Sequence, residues 1–468
     1  MKTTFASFAF GCRVNQAEKN QINQQLIDRG FKYSQSSPDF YIINSCAVTQ
    51  KAEREVRQYI YQIRKKYPLT KIIVTGCAAT FWMKNNDLIK DVDLLIPNNE
   101  KDLIPVKLIT LSLSLRGEVK DDNKTIFINS VILNESEGSS QKKILRSTQN
   151  DKDTFPDKFI NSGRLIIKIQ DGCQRYCSYC LVPYLRGKPE SKTIKEILTE
   201  INQYKNIQEV ILSAINTEYF GKNNETLTQL INEIINKTKI PRISLGSLHP
   251  WSLTNEFIQF YKQILPLNRL VNFFHIPLQS GSDKILKLMN RKYTIEQFLI
   301  KLNQLKQINP SVFISTDIIV GFPGETHEEF NKTYNFLENA PIDKFHIFRF
   351  SMRKGTTAEI LIKHYAEPTN VEKKIRSEKL RKLSQQKFIK FNKSQIGRFD
   401  QAIVINKNKV LLSNNLPARV SNLKSLKKRI INIKIQKFYE NLIGAGDGTQ
   451  LEPLSTLAVR EFAPSNNS

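Results

Sequence analysis

The chain has 468 residues, 40% hydrophobic and 24% charged, the make-up of an ordinary globular protein with core enough for roughly two to four domains. It contains no run of about 18 apolar residues, which excludes a transmembrane helix. Its 70 Lys and Arg against 44 Asp and Glu leave a net charge of +26, which points to a polyanionic partner even after allowance for the Lys, Asn and Ile that AT-rich coding favours.

From the N-terminus, Met1-Lys-Thr-Thr-Phe-Ala6 runs straight into strand-like sequence without a signal-peptide core, so the chain is expected in the cytoplasm. Residues 1–105 read as a small α/β domain in which short apolar runs alternate with the helical stretches Gln16–Gly30 and Gln50–Tyr67. Three of those runs end at a cysteine: Cys12 after Phe5–Gly11, Cys46 after Phe40–Ser45 and Cys77 after Lys71–Gly76. Strands of one parallel sheet end on the same side, so the three thiols are expected to meet at its carboxyl edge. Three buried structural thiols are the alternative, but that reading does not explain why each closes a strand. A cluster site does. Residues 106–162 turn polar and read as a linker or insertion, partly disordered, although Thr125–Leu133 could pair as a strand.

From 163 to 372 the alternation returns. The strands expected are Leu165–Gln170, Glu209–Asn216, Arg242–Gly246, Leu270–Leu278, Val312–Val320 and Lys344–Ser351, with helices such as Thr193–Tyr204 and Thr226–Lys237 between them. Six such units make a partial (β/α)6 barrel, whose functional groups belong on the loops after the strands. The loop after the first strand is Cys173-Gln-Arg-Tyr-Cys177-Ser-Tyr-Cys180, a C-x3-C-x2-C motif. Three thiolates so close together can hold one face of a cubane cluster and leave one iron without a protein ligand. Zinc would want a fourth ligand, and no His or Cys stands nearby in sequence. An open iron is what chelation and reductive cleavage of S-adenosylmethionine require.

Other strand ends offer candidate cofactor contacts: Asn216 and Gln279 as polar side chains at the barrel mouth, Gly321 and Gly324 where backbone could approach a ligand. A tight turn is the alternative for the two glycines. His249, His275 and His346 are read as core or loop histidines without chemistry. Residues 373–440 hold a Lys/Arg-dense helix (Val371–Gln395 by its pattern) and the short strands Gln401–Ile405, Lys409–Leu412, Ala418–Val420 and Ile430–Gln436, with Lys427, Lys428 and Arg429 between the last two. This predicts a small basic β-barrel of a type that holds RNA by its phosphates. Residues 441–468 read as a flexible tail.

Several strings carry a family resemblance: Gly11-Cys-Arg-Val-Asn15, Asn44-Ser-Cys-Ala-Val-Thr49, Val74-Thr-Gly-Cys-Ala78, His275-Ile-Pro-Leu-Gln-Ser-Gly281, Leu288-Met-Asn-Arg291 and Asp317-Ile-Ile-Val-Gly-Phe-Pro-Gly-Glu-Thr326. With the C-x3-C-x2-C motif and its Tyr179, the chain resembles the radical S-adenosylmethionine methylthiotransferase family over residues 1–105 and 163–440. The resemblance implies an α/β fold with a TRAM-like terminal barrel and two 4Fe-4S clusters. The catalytic cluster, on Cys173, Cys177 and Cys180, would bind S-adenosylmethionine and cleave it to a radical. The other, on Cys12, Cys46 and Cys77, would supply sulfur that a second S-adenosylmethionine methylates. It further implies a tRNA substrate, a flavodoxin- or ferredoxin-like reductant protein and no membrane. Cys12-Arg-Val-Asn-Gln-Ala-Glu18 and Val48-Thr49 look most like the subgroup that places a methylthio group on C2 of N6-threonylcarbamoyladenosine next to the anticodon. The alternatives are the isopentenyladenosine subgroup and a non-catalytic iron–sulfur RNA-binding redox sensor, though a sensor needs no open iron.

Overall fold

The computed structural model describes residues 3–115, 163–222, 224–406, 408–420, 430–439 and 456–461. Its first sheet is parallel throughout, built from β1 (Thr4–Ala9), β2 (Lys32–Tyr33), β3 (Phe40–Ser45), β4 (Lys71–Gly76) and β5 (Leu94–Ile96) in the order β2-β1-β3-β4-β5. The central strand β3 is buried at every position, as a strand covered on both faces must be. Helices α1 (Arg13–Asp28), α2 (Gln50–Lys66), α3 (Cys77–Lys84) and α4 (Ile104–Leu115) cover the sheet. In α2 the apolar stripe Val56, Ile60 and Ile63 is buried, and Thr49 caps the helix by accepting the Ala52 N–H.

The domain end expected near residue 105 falls inside α4. Ile104 and Leu108, one turn apart, are both fully buried against the sheet, so the helix continues past the polar boundary that composition marked. Thr125–Leu133 and the rest of the linker from 116 onward lie outside the described residues.

Two further sheets follow. One contains β6 (Arg164–Asp171), β7 (Glu190–Ser191), β8 (Glu209–Ala214) and β9 (Arg242–Leu245); the other contains β10 (Phe273–His275), β11 (Phe313–Val320) and β12 (Lys344–Arg349). A parallel bridge from Ile243 to Leu270 joins them, so β6, β8, β9, β10, β11 and β12 form one open parallel arc. The fourth strand is much shorter than the expected Leu270–Leu278, and Gln279 returns only as an isolated bridge to Ile318. Pro277 has no N–H to give the ladder, which ends the strand there. Capping boxes at Thr193/Glu196, Thr226/Gln229 and Thr294/Gln297 start helices of the outer layer.

The long basic helix, Asn370–Ser394, begins at a fourth capping box (Thr369/Glu372) and lies on β12, where Ser384 Oγ accepts from the Phe345 N–H and donates to its carbonyl. Beyond it, β13 (Phe399–Asn406), β14 (Lys409–Leu411), β15 (Pro417–Val420), β16 (Ile430–Tyr439) and β17 (Thr456–Glu461) close a barrel in the order β13-β14-β15-β17-β16. The fifth strand corrects the sequence reading, which placed residues 441–468 in a flexible tail. Leu457 and Val459 alternate into the barrel core at 0% and 1% exposure, and β17 completes the closure by pairing with β15 and β16. Lys427, Lys428 and Arg429 lie outside the described residues. Arg242 ties the barrel to the arc by donating to the carbonyls of Leu411 and Leu412 at 2.9 and 2.7 Å. Among the described residues no helix is long and apolar enough to cross a membrane.

Candidate active site between two cysteine triplets

In the first sheet, Cys12 is the N-cap of α1, Cys46 directly follows β3, and Cys77 is the first residue of α3. The strands before them, β1, β3 and β4, are neighbours, and their registers set Ala9 beside Asn44 and Ser45 beside Gly76. Register therefore brings the three thiols to one edge. Two glycines make the room. A Cβ on Gly11 (φ +79°) would sit 2.8 Å from Cys46 Sγ, and one on Gly76 (φ +99°) would collide with the Ser45 backbone. Asn15 stitches two of the loops by donating to the carbonyls of Phe10 and Ser45.

The second triplet occupies the loop after β6. Cys180 N–H donates to the Cys177 carbonyl, Ser178 binds Leu288 and Met289, and Asn290 holds the carbonyls of Arg175 and Tyr176. Each sulfur also receives an N–H donor. Cys173 takes the Arg175 N–H at 3.5 Å and Asn216 at 3.7 Å, Cys177 takes Arg291 at 3.8 Å, and Cys180 takes the Val182 N–H at 3.4 Å. Such donors favour thiolates. Burial and repulsion between the thiols work the other way and push Cys180 up to about 12, as they do Cys46 in the first triplet. For Cys46 and Cys180 a bound cation would offset that rise and favour the thiolate, which is what an iron–sulfur core would provide. Among the described residues no three His, Cys, Asp or Glu side chains converge tightly enough for a single metal ion.

A cavity of about 530 Å³ opens between the triplets, with Cys12 on one wall and Cys173, Cys177 and Cys180 on another. A second, of about 170 Å³, adjoins it through shared walls at Tyr179, Cys180, Gln279 and Asp317 and reaches Cys77. Cys46 is buried and lines neither cavity. Asn216 and Gln279 line the larger cavity, as their strand-end positions predict. Gly321 and Gly324 do not; both hold positive φ in a turn packed against Lys373, Leu288 and Tyr365, the alternative that the sequence left open.

The sequence reading gave no role to several cavity residues. Arg291, 6% exposed, donates to Tyr293, Tyr179 and the Pro277 carbonyl, and among the described residues it forms no ion pair with a carboxylate. It and Arg175 flank the ring of Trp251 at 4.8 and 4.3 Å. Arg175 itself is paired with Glu218. His249, His275 and His346, read as inert, all line the cavity. His275 bonds Ser315 at 2.9 Å and Asp317 at 3.2 Å, whereas burial and the nearby Arg291 hold His249 down at about 3, neutral at any physiological pH. Arg291 stands in the Leu288-Met-Asn-Arg291 string and Arg175 inside the cysteine motif; those strings were the available signals.

Residues 167–337 match the Radical SAM superfamily, and residues 4–96 match the uncharacterized protein family UPF0004. Threonylcarbamoyladenosine tRNA methylthiotransferase MtaB of Aquifex aeolicus is 31% identical over 435 residues, 92% of this chain and 99% of that protein. The chain belongs to the radical SAM tRNA methylthiotransferases. The tRNA-2-methylthio-N(6)-dimethylallyladenosine synthase of Thermodesulfovibrio yellowstonii is 30% identical over 449 residues, 92% of this chain and 96% of that one. Among solved structures, the radical S-adenosylmethionine methyltransferase TsrM of Kitasatospora setae shares the fold, with a TM-score of 0.53 at 12% identity over 78% of this chain and 75% of that chain. This radical SAM methylthiotransferase is therefore an enzyme that acts on tRNA with an iron–sulfur cluster and S-adenosylmethionine, which sets aside the non-catalytic sensor.

Proposed function

We propose that the enzyme adds a methylthio group to C2 of N6-threonylcarbamoyladenosine in tRNA, using a 4Fe-4S cluster on Cys173, Cys177 and Cys180 and a second on Cys12, Cys46 and Cys77. The observation that carries this reading is that thiols of both triplets line two adjoining cavities, so one substrate can face both. When bound, the clusters and S-adenosylmethionine supply the one-electron cleavage, the sulfur and the methyl group that no acid–base side chain could. The chain's own residues bind and orient. Arg291, Asn216 and the two backbone N–H groups hold negative charge on the barrel sulfurs, Gln279 and Asp317 sit where the two cavities meet, and the apolar residues around Cys180 exclude water.

The threonylcarbamoyl choice rests on chemistry at the larger cavity. Its wall carries Arg13 and His275, and the threonylcarbamoyl group brings a carboxylate and a hydroxyl that such groups can bind. One observation favours the dimethylallyl group instead: the smaller cavity is walled by Leu181, Leu185, Ile319, Phe348 and Phe350. In this reading, residues 1–105 present the second cluster, 163–372 the catalytic one, and the basic helix and barrel from 373 onward grip the tRNA phosphates. A flavodoxin- or ferredoxin-like protein brings the electrons. Mass spectrometry of tRNA nucleosides from a host lacking its own tRNA methylthiotransferases tests the choice. A methylthio increment on threonylcarbamoyladenosine supports it. An increment on dimethylallyladenosine alone keeps the chemistry and overturns the subgroup.

A further inference from the structure

A buried ion network ties the two triplets together. The short helix α5 (Val182–Arg186) starts two residues after Cys180, and Leu181 and Leu185 plug into the core of the first sheet. Its last side chain, Arg186, is 1% exposed. The guanidinium donates to Glu18 at 2.9 Å, Asp171 at 2.7 Å and Asn15 at 2.7 Å, joining α1, the end of β6 and the loop that carries the catalytic thiols. Lys168 contacts the same two carboxylates, and Lys101 a buried Glu18. Among the described residues, three cations thus share two carboxylates, which leaves one positive charge in surplus around the buried Glu18, Lys101 and Arg186. That arrangement is costly unless an anion faces it.

The loops that carry the thiols of the first sheet are bonded to it: Asn15, which accepts from Arg186, donates to the carbonyls of Phe10 and Ser45 beside Cys12 and Cys46, and Asn98 donates both to the Leu185 carbonyl and to Cys77 Sγ at 3.7 Å. Glu18 and Asp171, on two separate elements, pair with the guanidinium, which stays charged there. A cluster on three thiolates is net negative, so it matches the surplus in sign. We propose that Arg186 is a positioning residue that sets the charge balance of the Cys12–Cys46–Cys77 site and raises the reduction potential of the cluster held there. The inference rests on the reading that those thiols hold a cluster. Uptake of one electron makes the cluster more negative, and a fixed cation stabilises that product over the oxidised form.

The test uses the full chain with Cys173→Ala, Cys177→Ala and Cys180→Ala, reconstituted with iron and sulfide and titrated with dithionite under electron paramagnetic resonance. Arg186→Gln should shift the midpoint to a more negative potential, while Arg186→Lys, which keeps the charge but not the fork, should stay at the parent value. Loss of iron from the Gln variant alone also supports a charge role. An unmoved midpoint in Arg186→Gln, or equal shifts or equal iron loss in both variants, overturns it. Absence of iron in the parent overturns the second cluster and this inference with it. In the enzyme with all six cysteines, Arg186→Gln should lower the yield of methylthio nucleoside per 5′-deoxyadenosine about tenfold, a change in ratio that a general loss of structure would not produce.

Discussion

The two cysteine triplets are built in opposite ways. Cys173, Cys177 and Cys180 share one loop whose shape is fixed by its own turns and by bonds from Ser178 and Asn290. Cys12, Cys46 and Cys77 come from three strand ends and meet only because β1, β3 and β4 pair in register. A local motif tolerates disturbance elsewhere. An assembled one depends on every contact that holds the sheet edge, so the two sites should fail separately.

The largest effects are expected at the proposed cluster ligands. Cys177→Ala should abolish both 5′-deoxyadenosine and methylthio product, a loss of at least about a thousandfold, read by chromatography of one reaction. A glycine change sharpens the contrast. Gly76→Ala forces a Cβ into the Ser45 backbone at a positive φ, so it should cost about 2–4 kcal/mol and strip iron from the assembled site while the loop site stays loaded; iron analysis and thermal melts check this.

Glu53 probes the contact between the units. It accepts from Arg353 at 2.8 Å, Trp82 at 2.6 Å and Arg57 at 3.2 Å. Burial would raise its carboxyl, but those bonds outweigh it and hold it below the usual carboxylate range. Its ionised form therefore contributes stability above the unfolded carboxylate range, and the contribution is lost as pH falls through the depressed folded value. Glu53→Gln should cost about 2 kcal/mol at pH 7, and the gap from wild type should close in acid melts. The smallest effect belongs to the outer face. Lys374 and Lys382 are exposed on the basic helix, and replacing both with Ala should weaken tRNA binding and flatten its salt dependence by about one to two charges, without touching either cluster.

The same contrast explains what was legible. The loop triplet could be read from spacing alone, and the assembled one from the rule that parallel strands end together, because each of its cysteines closes a recognisable strand. The charges around them were not. Arg186 meets Glu18 across 168 residues and Arg353 meets Glu53 across 300, distances over which no pattern is visible in a single chain. The barrel's fifth strand was missed for a related reason. Its partners, β15 and β16, lie on the far side of a polar stretch, and six residues with two inward apolar side chains look like tail until closure is counted. Gly321 and Gly324 show the converse limit: they stand in a turn outside both cavities, and positive φ at a strand end marks a turn as readily as a ligand site.

The most direct test of the division of labour is Cys46→Ala, assayed for 5′-deoxyadenosine and methylthio nucleoside in the same reaction with tRNA. The account predicts that cleavage of S-adenosylmethionine persists and methylthio product disappears. Product at the wild-type level, or loss of cleavage while the loop triplet still holds its iron, would contradict it.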